Sequence, residues 1–130
     1  MNSPLKEQVV CATGGKAVQE DIDRCEKSVL VLIGTVGRVR EILSHSQDHQ
    51  KYLRKVDYLY IDEGDRVLKE KGIETVVKAV PKMRRTAIFS ATLQDITQND
   101  LKLYGMRNLA KISLKTTQLK EEKKKGSKGQ

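Results

Sequence analysis

The chain has 130 residues, of which 38% are hydrophobic, with four Tyr, one Phe, no Trp and a formal charge of +8. Domains cluster at roughly 100–150 residues, so this is one domain's worth of sequence at most. The longest purely aliphatic run is Val29 to Ile33 and the opening MNSPLKEQ has no apolar core, so no signal peptide, no membrane span and an intracellular setting are expected.

In chain order, Gln8 to Ala12 (QVVCA) is a short apolar run closed by Thr13-Gly14-Gly15, which predicts a strand and a turn. Val18, Ile22 and Cys25 follow at helical spacing. Val29 to Ile33 (VLVLI) is the pattern of a parallel strand covered on both faces. After Gly34-Thr35-Val36-Gly37-Arg38, the residues Val39, Ile42 and Leu43 mark a second helix, and Ser44 to Lys55 is polar enough for a loop or a weak helix. Val56 to Ile61 (VDYLYI) predicts a strand that runs into Asp62, Glu63 and Asp65. Ile73, Val76, Val77 and Val80 then predict a helix ended by Pro81. Thr86 to Phe89 (TAIF) reads as a strand ending at Ser90-Ala91-Thr92, Leu93 to Tyr104 as a polar helix, and Ala110 to Leu114 as a last strand.

Strands alternating with helices predict an α/β fold with a parallel sheet over residues 1–114. Residues 115–130 (KTTQLKEEKKKGSKGQ) are expected to be a disordered tail. From Lys111 onward seven Lys oppose two Glu, a net +5, leaving +3 for the first 110 residues. A mildly basic body is compatible with nucleic acid, and the tail reads first as a solvated segment. Cys11 and Cys25 are too far apart for a CxxC pair, so both are expected to be buried free thiols.

Ligands of open parallel sheets gather at the carboxyl ends of strands, and four short motifs fall there. Asp62-Glu63-Gly64-Asp65 after an apolar strand has the Walker B layout. Its first carboxylate would hold Mg²⁺ through water and its second would orient the water that attacks a γ-phosphate. The same acids would equally suit the start of a helix. Ser90-Ala91-Thr92 is explained as well by helix capping. Gly34 to Arg38 could cradle a nucleic-acid phosphate through the following helix, the Thr35 hydroxyl and the Arg38 charge, or could be a plain strand-to-helix turn. Thr13-Gly14-Gly15-Lys16 fails as a Walker A loop, because GxxxxGK[ST] would need glycine at Val10 and a hydroxyl at Ala17. His45 and His49 are four apart but lack an apolar stripe and a third ligand, so no metal is expected there.

Taken in order, TGG, GTVGR, DEGD and SAT resemble the GG motif, motif Ib, motif II and motif III of the DEAD-box RNA helicase family. The flanks VLVLIGTVGRVREIL, VDYLYIDEGDRVL, PKMRRTAIFSATL and GMRNLAKISL resemble family segments too, and RRTAIFSAT with GMRN resembles its ribosome-assembly branch. The resemblance implies part of a RecA-like domain, with the Walker A and motif Ia strands not among these residues. It implies that Asp62 and Glu63 serve ATP and Mg²⁺, with Asp62 holding the ion. It implies that Asp65 is linked to Ser90, Ala91 and Thr92 for coupling, and that Gly14, Gly15, Thr35, Gly37 and Arg38 line an RNA backbone path with little sequence preference.

Val36 stands where the family has proline, and Gly64 where it has alanine, adding backbone freedom. Partners implied are RNA and ribosome-assembly particles, in the nucleus or nucleolus if that branch holds and otherwise in the cytoplasm. Without its missing strands the sheet is expected to expose apolar faces and unpaired edges. The chain alone is expected to hydrolyse no ATP. The alternative is a non-catalytic RNA-binding or interaction module.

Overall fold

A computed structural model describes residues 8–27, 29–45, 50–82 and 84–114. The tail expected over 115–130 lies outside the described residues, as does His49. Among the described residues four strands alternate with helices: β1 (Val9–Ala12), α1 (Val18–Lys27), β2 (Val31–Gly34), α2 (Val36–His45), α3 (Gln50–Leu53), β3 (Tyr58–Ile61), α4 (Gly64–Val67), α5 (Ile73–Ala79), β4 (Arg85–Ile88) and α6 (Gln98–Leu103). This is the α/β order expected. All pairing is parallel, and it forms two separate pairs: β1 with β2, and β3 with β4.

Val36, Ile61, Ile73, Val77 and Tyr104 make one buried cluster, and Val39, Leu43, Leu53 and Val80 a second. Ala12, Ile22 and Ile42 make a third. Helix α2 supplies residues to all three, because Val36, Val39, Ile42 and Leu43 spread an apolar stripe across more than one face of the helix. Leu32 packs on both the second and third clusters and so joins the two halves through β2.

Strand residues alternate as the pleat requires. Val10, Ala12 and Ile61 point inward and are buried, whereas Val31, Ile33, Tyr58, Tyr60 and Phe89 point outward and are exposed. The two-sided burial read from VLVLI is therefore not observed among the described residues; β2 is covered on one face. Cys11 also points outward and is exposed, contrary to expectation, while Cys25 is buried on α1. Burial, and after it the Asp21 carboxylate, push the Cys25 thiol up, which leaves it protonated and inert. The outward aromatic rings lie in a row: Tyr58 and Tyr60 at 6.3 Å and nearly parallel, and Tyr60 and Phe89 at 6.5 Å. The Arg85 guanidinium sits 5.7 Å from the Tyr58 ring.

Two further expectations need correction. The helix read over Leu93 to Tyr104 is a 3-10 turn at Leu93–Asp95 followed by α6. Thr97 breaks it: its hydroxyl accepts the Asp100 N–H while the Asp100 carboxylate accepts the Thr97 N–H, a capping box that starts a new helix. Helix α6 then ends at Gly105 (φ 72), where Met106 N–H bonds Leu101 C=O and Gly105 N–H bonds Lys102 C=O, the paired pattern of a Schellman motif. Arg84 secures this end by donating to the carbonyls of Pro81 at 2.8 Å and Tyr104 at 3.0 Å. Residues 110–114 take part in no strand pairing, so the last strand is not formed.

Candidate functional site: the carboxyl ends of the strands

Two loops meet beyond β1 and β2. Parallel register sets Ala12 opposite Gly34, and a Cβ on Gly34 would lie 2.8 Å from Val39 Cγ2 and 3.0 Å from the Ala12 carbonyl. Only a glycine lets β2 end this close to both β1 and α2. Thr35 opens α2: its N–H donates to the Ala12 carbonyl at 3.3 Å, and its carbonyl accepts the Val39 N–H at 3.0 Å. Its hydroxyl, 3.4 Å from the Arg38 N–H it accepts, keeps its own proton for donation. Gly14, Gly15 and Gly37 are exposed, and nothing lies within 4 Å of where their Cβ atoms would be. A ligand can approach the backbone closely at all three.

Arg38 is not disposed as the sequence suggested. Its side chain is 5% exposed, and its Nε lies 3.0 Å from Oδ2 of Asp21, itself 4% exposed. Nη1 donates to Glu41 Oε2 at 2.9 Å. The Nε–H donates to the Thr13 carbonyl at 3.3 Å and not to Asp21, whose Oδ2 accepts no hydrogen bond, and Nη2 donates to the Lys16 carbonyl. The guanidinium thus holds the two carbonyls that bracket Gly14 and Gly15, and its charge is met by two carboxylates. The guanidinium expected to meet a phosphate is engaged in this structure by a buried ion pair. Asp21 was missed from the sequence, although it stands beside Ile22 on the buried side of α1, where a charge needs a partner.

Beyond β3 and β4 the motifs close on each other. Gly64 N–H donates to the Phe89 carbonyl at 2.9 Å, bringing the two loops together. Asp65 Oδ1 accepts from Ser90 Oγ at 2.8 Å, and Oδ2 from Thr92 Oγ1 at 2.7 Å. The Thr92 N–H donates in turn to Ser90 Oγ at 3.2 Å. The hydroxyls of Thr92, and after it Ser90, hold the Asp65 carboxyl below the ordinary aspartate value. Thr92 makes no side-chain cap to the 3-10 turn that follows, so the capping explanation of SAT fails here. Ala91 is exposed between the two hydroxyl residues.

Asp62 and Glu63 are both exposed at the end of β3. Asp62 Oδ1 accepts the Glu63 N–H at 2.9 Å, and Glu63 Oε2 pairs with Arg66 at 3.1 Å. Glu63 has φ 48 and ψ 48, a left-handed conformation uncommon for a residue with a side chain. The extra freedom expected of Gly64 is therefore not what the turn uses, since Gly64 is not among the positive-φ residues. Gly64 serves close approach instead: a Cβ there would meet Ile88 Cγ2 at 2.2 Å.

Comparison with known proteins fits this arrangement. The sequence profile described as DEAD/DEAH box helicase matches residues 1–101. The chain is 35% identical over 98 residues to the ATP-dependent rRNA helicase spb4 of Schizosaccharomyces pombe, covering 73% of this chain and 15% of that protein. It is 32% identical over 109 residues to the ATP-dependent RNA helicase DDX55 of Homo sapiens, covering 78% and 18%. The chain thus spans less than a fifth of either protein. A solved structure of Mss116p (NTE and C-tail double deletion) bound to ssRNA and AMP-PNP superposes with a TM-score of 0.57 at 27% identity, covering 76% of this chain and 21% of that one. The architecture is that of part of a RecA-like helicase domain, and the chain belongs to the DEAD/DEAH box helicase family.

Proposed function

We propose that this chain is the portion of an ATP-dependent RNA helicase that touches the RNA backbone and couples it to nucleotide state. The observation that carries the reading is the Asp65 carboxylate held by Ser90 at 2.8 Å and by Thr92 at 2.7 Å. These bonds join the loop bearing Asp62 and Glu63 to the loop after β4. A change at one loop is thereby felt at the other.

Gly14, Gly15, Thr35 and Gly37 supply a surface of open backbone and one hydroxyl, suited to phosphate and sugar rather than to bases. That favours RNA binding with little sequence preference. The residues present also fit ATP with Mg²⁺. Asp62 and Glu63 are adjacent, exposed carboxylates. This suits Mg²⁺, which keeps several waters and takes one or two carboxylates plus substrate phosphates. When bound, the ion would neutralise charge on the phosphates. Asp62 would hold it through water, and Glu63 would orient the attacking water.

GxxxxGK[ST] does not occur in the 130 residues, so the chain by itself should turn over no ATP. The rRNA helicase relatives support ribosome-assembly particles as partners and a nucleolar setting. Among the described residues no helix is long and apolar enough to cross a membrane. Phosphate release and anisotropy of a fluorescent oligouridylate test the reading together: salt-sensitive RNA binding without turnover is expected. Robust ATP turnover by the 130 residues, or no RNA binding at low salt, would overturn it. Binding that persists in an Asp65→Asn, Thr92→Val variant with no nucleotide response in either protein would favour the non-catalytic module.

A further inference from the structure

We infer that Arg38 and Asp21 form a buried positioning clasp that fixes the Thr13–Lys16 loop against the start of α2, so that the two loops grip an RNA backbone as one surface. The inference rests on the RNA-binding reading of those loops. Arg38 is on this view a positioning residue and makes no phosphate contact itself.

Three observations lead there. The Arg38 and Asp21 side chains are 5% and 4% exposed and 3.0 Å apart. A phosphate could reach Arg38 only by displacing that carboxylate and opening the site, which would leave a buried charge uncompensated. Glu41 adds a second carboxylate at 2.9 Å, so the guanidinium stands in negative surroundings, the reverse of what attracts an anion. The Nε–H donates to the Thr13 carbonyl and Nη2 to the Lys16 carbonyl, one on each side of Gly14-Gly15, so Asp21 Oδ2 meets the guanidinium through charge and not through a hydrogen bond. Three elements converge on one planar group: α1 through Asp21, α2 through Arg38 and Glu41, and the loop through its carbonyls. A lysine carries the same charge but cannot reproduce the fork.

The sign of one substitution separates positioning from contact. Asp21→Asn is nearly isosteric and makes the protein one unit more positive. If Arg38 met phosphate, removing its competing carboxylate would tighten RNA binding. A clasp predicts weaker binding despite the added positive charge. Arg38→Lys keeps the charge and loses the fork, so a clasp predicts binding weakened several-fold at unchanged salt dependence, whereas a simple phosphate contact would survive the change with affinity nearly unaltered.

The experiment uses the full 130-residue chain, Asp21→Asn and Arg38→Lys, with two readouts. Amide hydrogen exchange without RNA should quicken at residues 13–17 in both variants and stay unchanged in the β3–β4 pair, which also shows that the variants are folded. Anisotropy with a fluorescent oligouridylate across a salt series should show weaker binding at constant slope. Unchanged exchange at residues 13–17, tighter binding by Asp21→Asn, or unaltered affinity in Arg38→Lys would each overturn the clasp. Absence of RNA binding by the unsubstituted chain would sink the functional reading, with the exchange result still deciding for or against the clasp.

Discussion

Gly64 and Ile88 approach so closely that a methyl group on Gly64 would lie 2.2 Å from Ile88 Cγ2. The glycine of DEGD and the strand leading to SAT are therefore fitted to each other. Where the family usually carries alanine, this chain carries a branched side chain facing a bare backbone.

Gly64→Ala should accordingly destabilise the fold by about 1–3 kcal/mol, the usual cost of overpacking. Ile88→Leu removes the Cβ branch while keeping volume and should recover most of that loss in the double variant. Urea unfolding of the four proteins measures the coupling. Additive effects of the two substitutions would mean that the contact does not decide the residue at position 64.

Glu63 holds a left-handed backbone between Asp62 and Gly64. Glu63→Gly should stabilise the chain by about 1 kcal/mol by relieving that conformation, while removing the carboxylate proposed to orient water. A loss of stability in urea unfolding would show that Glu63 holds the turn through its side chain, by way of Arg66, rather than straining it.

The carboxyls of Asp65 and Asp100 are held below the ordinary value of 3.8, chiefly by hydroxyls of Thr92 and of Thr97. A depressed folded-state value means the unfolded chain binds more protons in that range. The stability these groups contribute is complete above the unfolded value and disappears as pH falls through the folded values. The urea midpoint should thus be flat from neutrality to about pH 5 and fall below about pH 4. Asp65→Asn should have a shallower acid limb; an identical limb would remove Asp65 from the account.

Tyr58, Tyr60 and Phe89 are 53%, 66% and 56% exposed, and such apolar patches promote association. The chain should self-associate with rising concentration in sedimentation velocity, and Tyr60→Lys with Phe89→Lys should restore the monomer. Association that survives the double substitution would place the contact elsewhere.

Much of this was legible from local pattern. TAIF lies within a residue of β4, and Ile73, Val76 and Val77 mark α5, because short apolar runs and helical spacing are set by burial on one face. The clasp was not legible, since Arg38 and Asp21 sit on different helices and only packing brings them together. VLVLI could not reveal that one of its faces is open, because an apolar run records suitability for burial rather than burial itself. The break at Thr97 was present in the sequence as Thr-x-x-Asp and was outweighed by the polar stretch around it. The joining of Asp65 to Ser90 and Thr92 came from the order of motifs in the family, not from any spacing.

The most direct test of the central claim is a titration of the isotope-labelled chain with oligouridylate, followed by amide chemical shifts. The account predicts shifts concentrated at Gly14, Gly15, Thr35 and Gly37. Shifts confined to the Tyr58, Tyr60 and Phe89 face, or none at low salt, would contradict it.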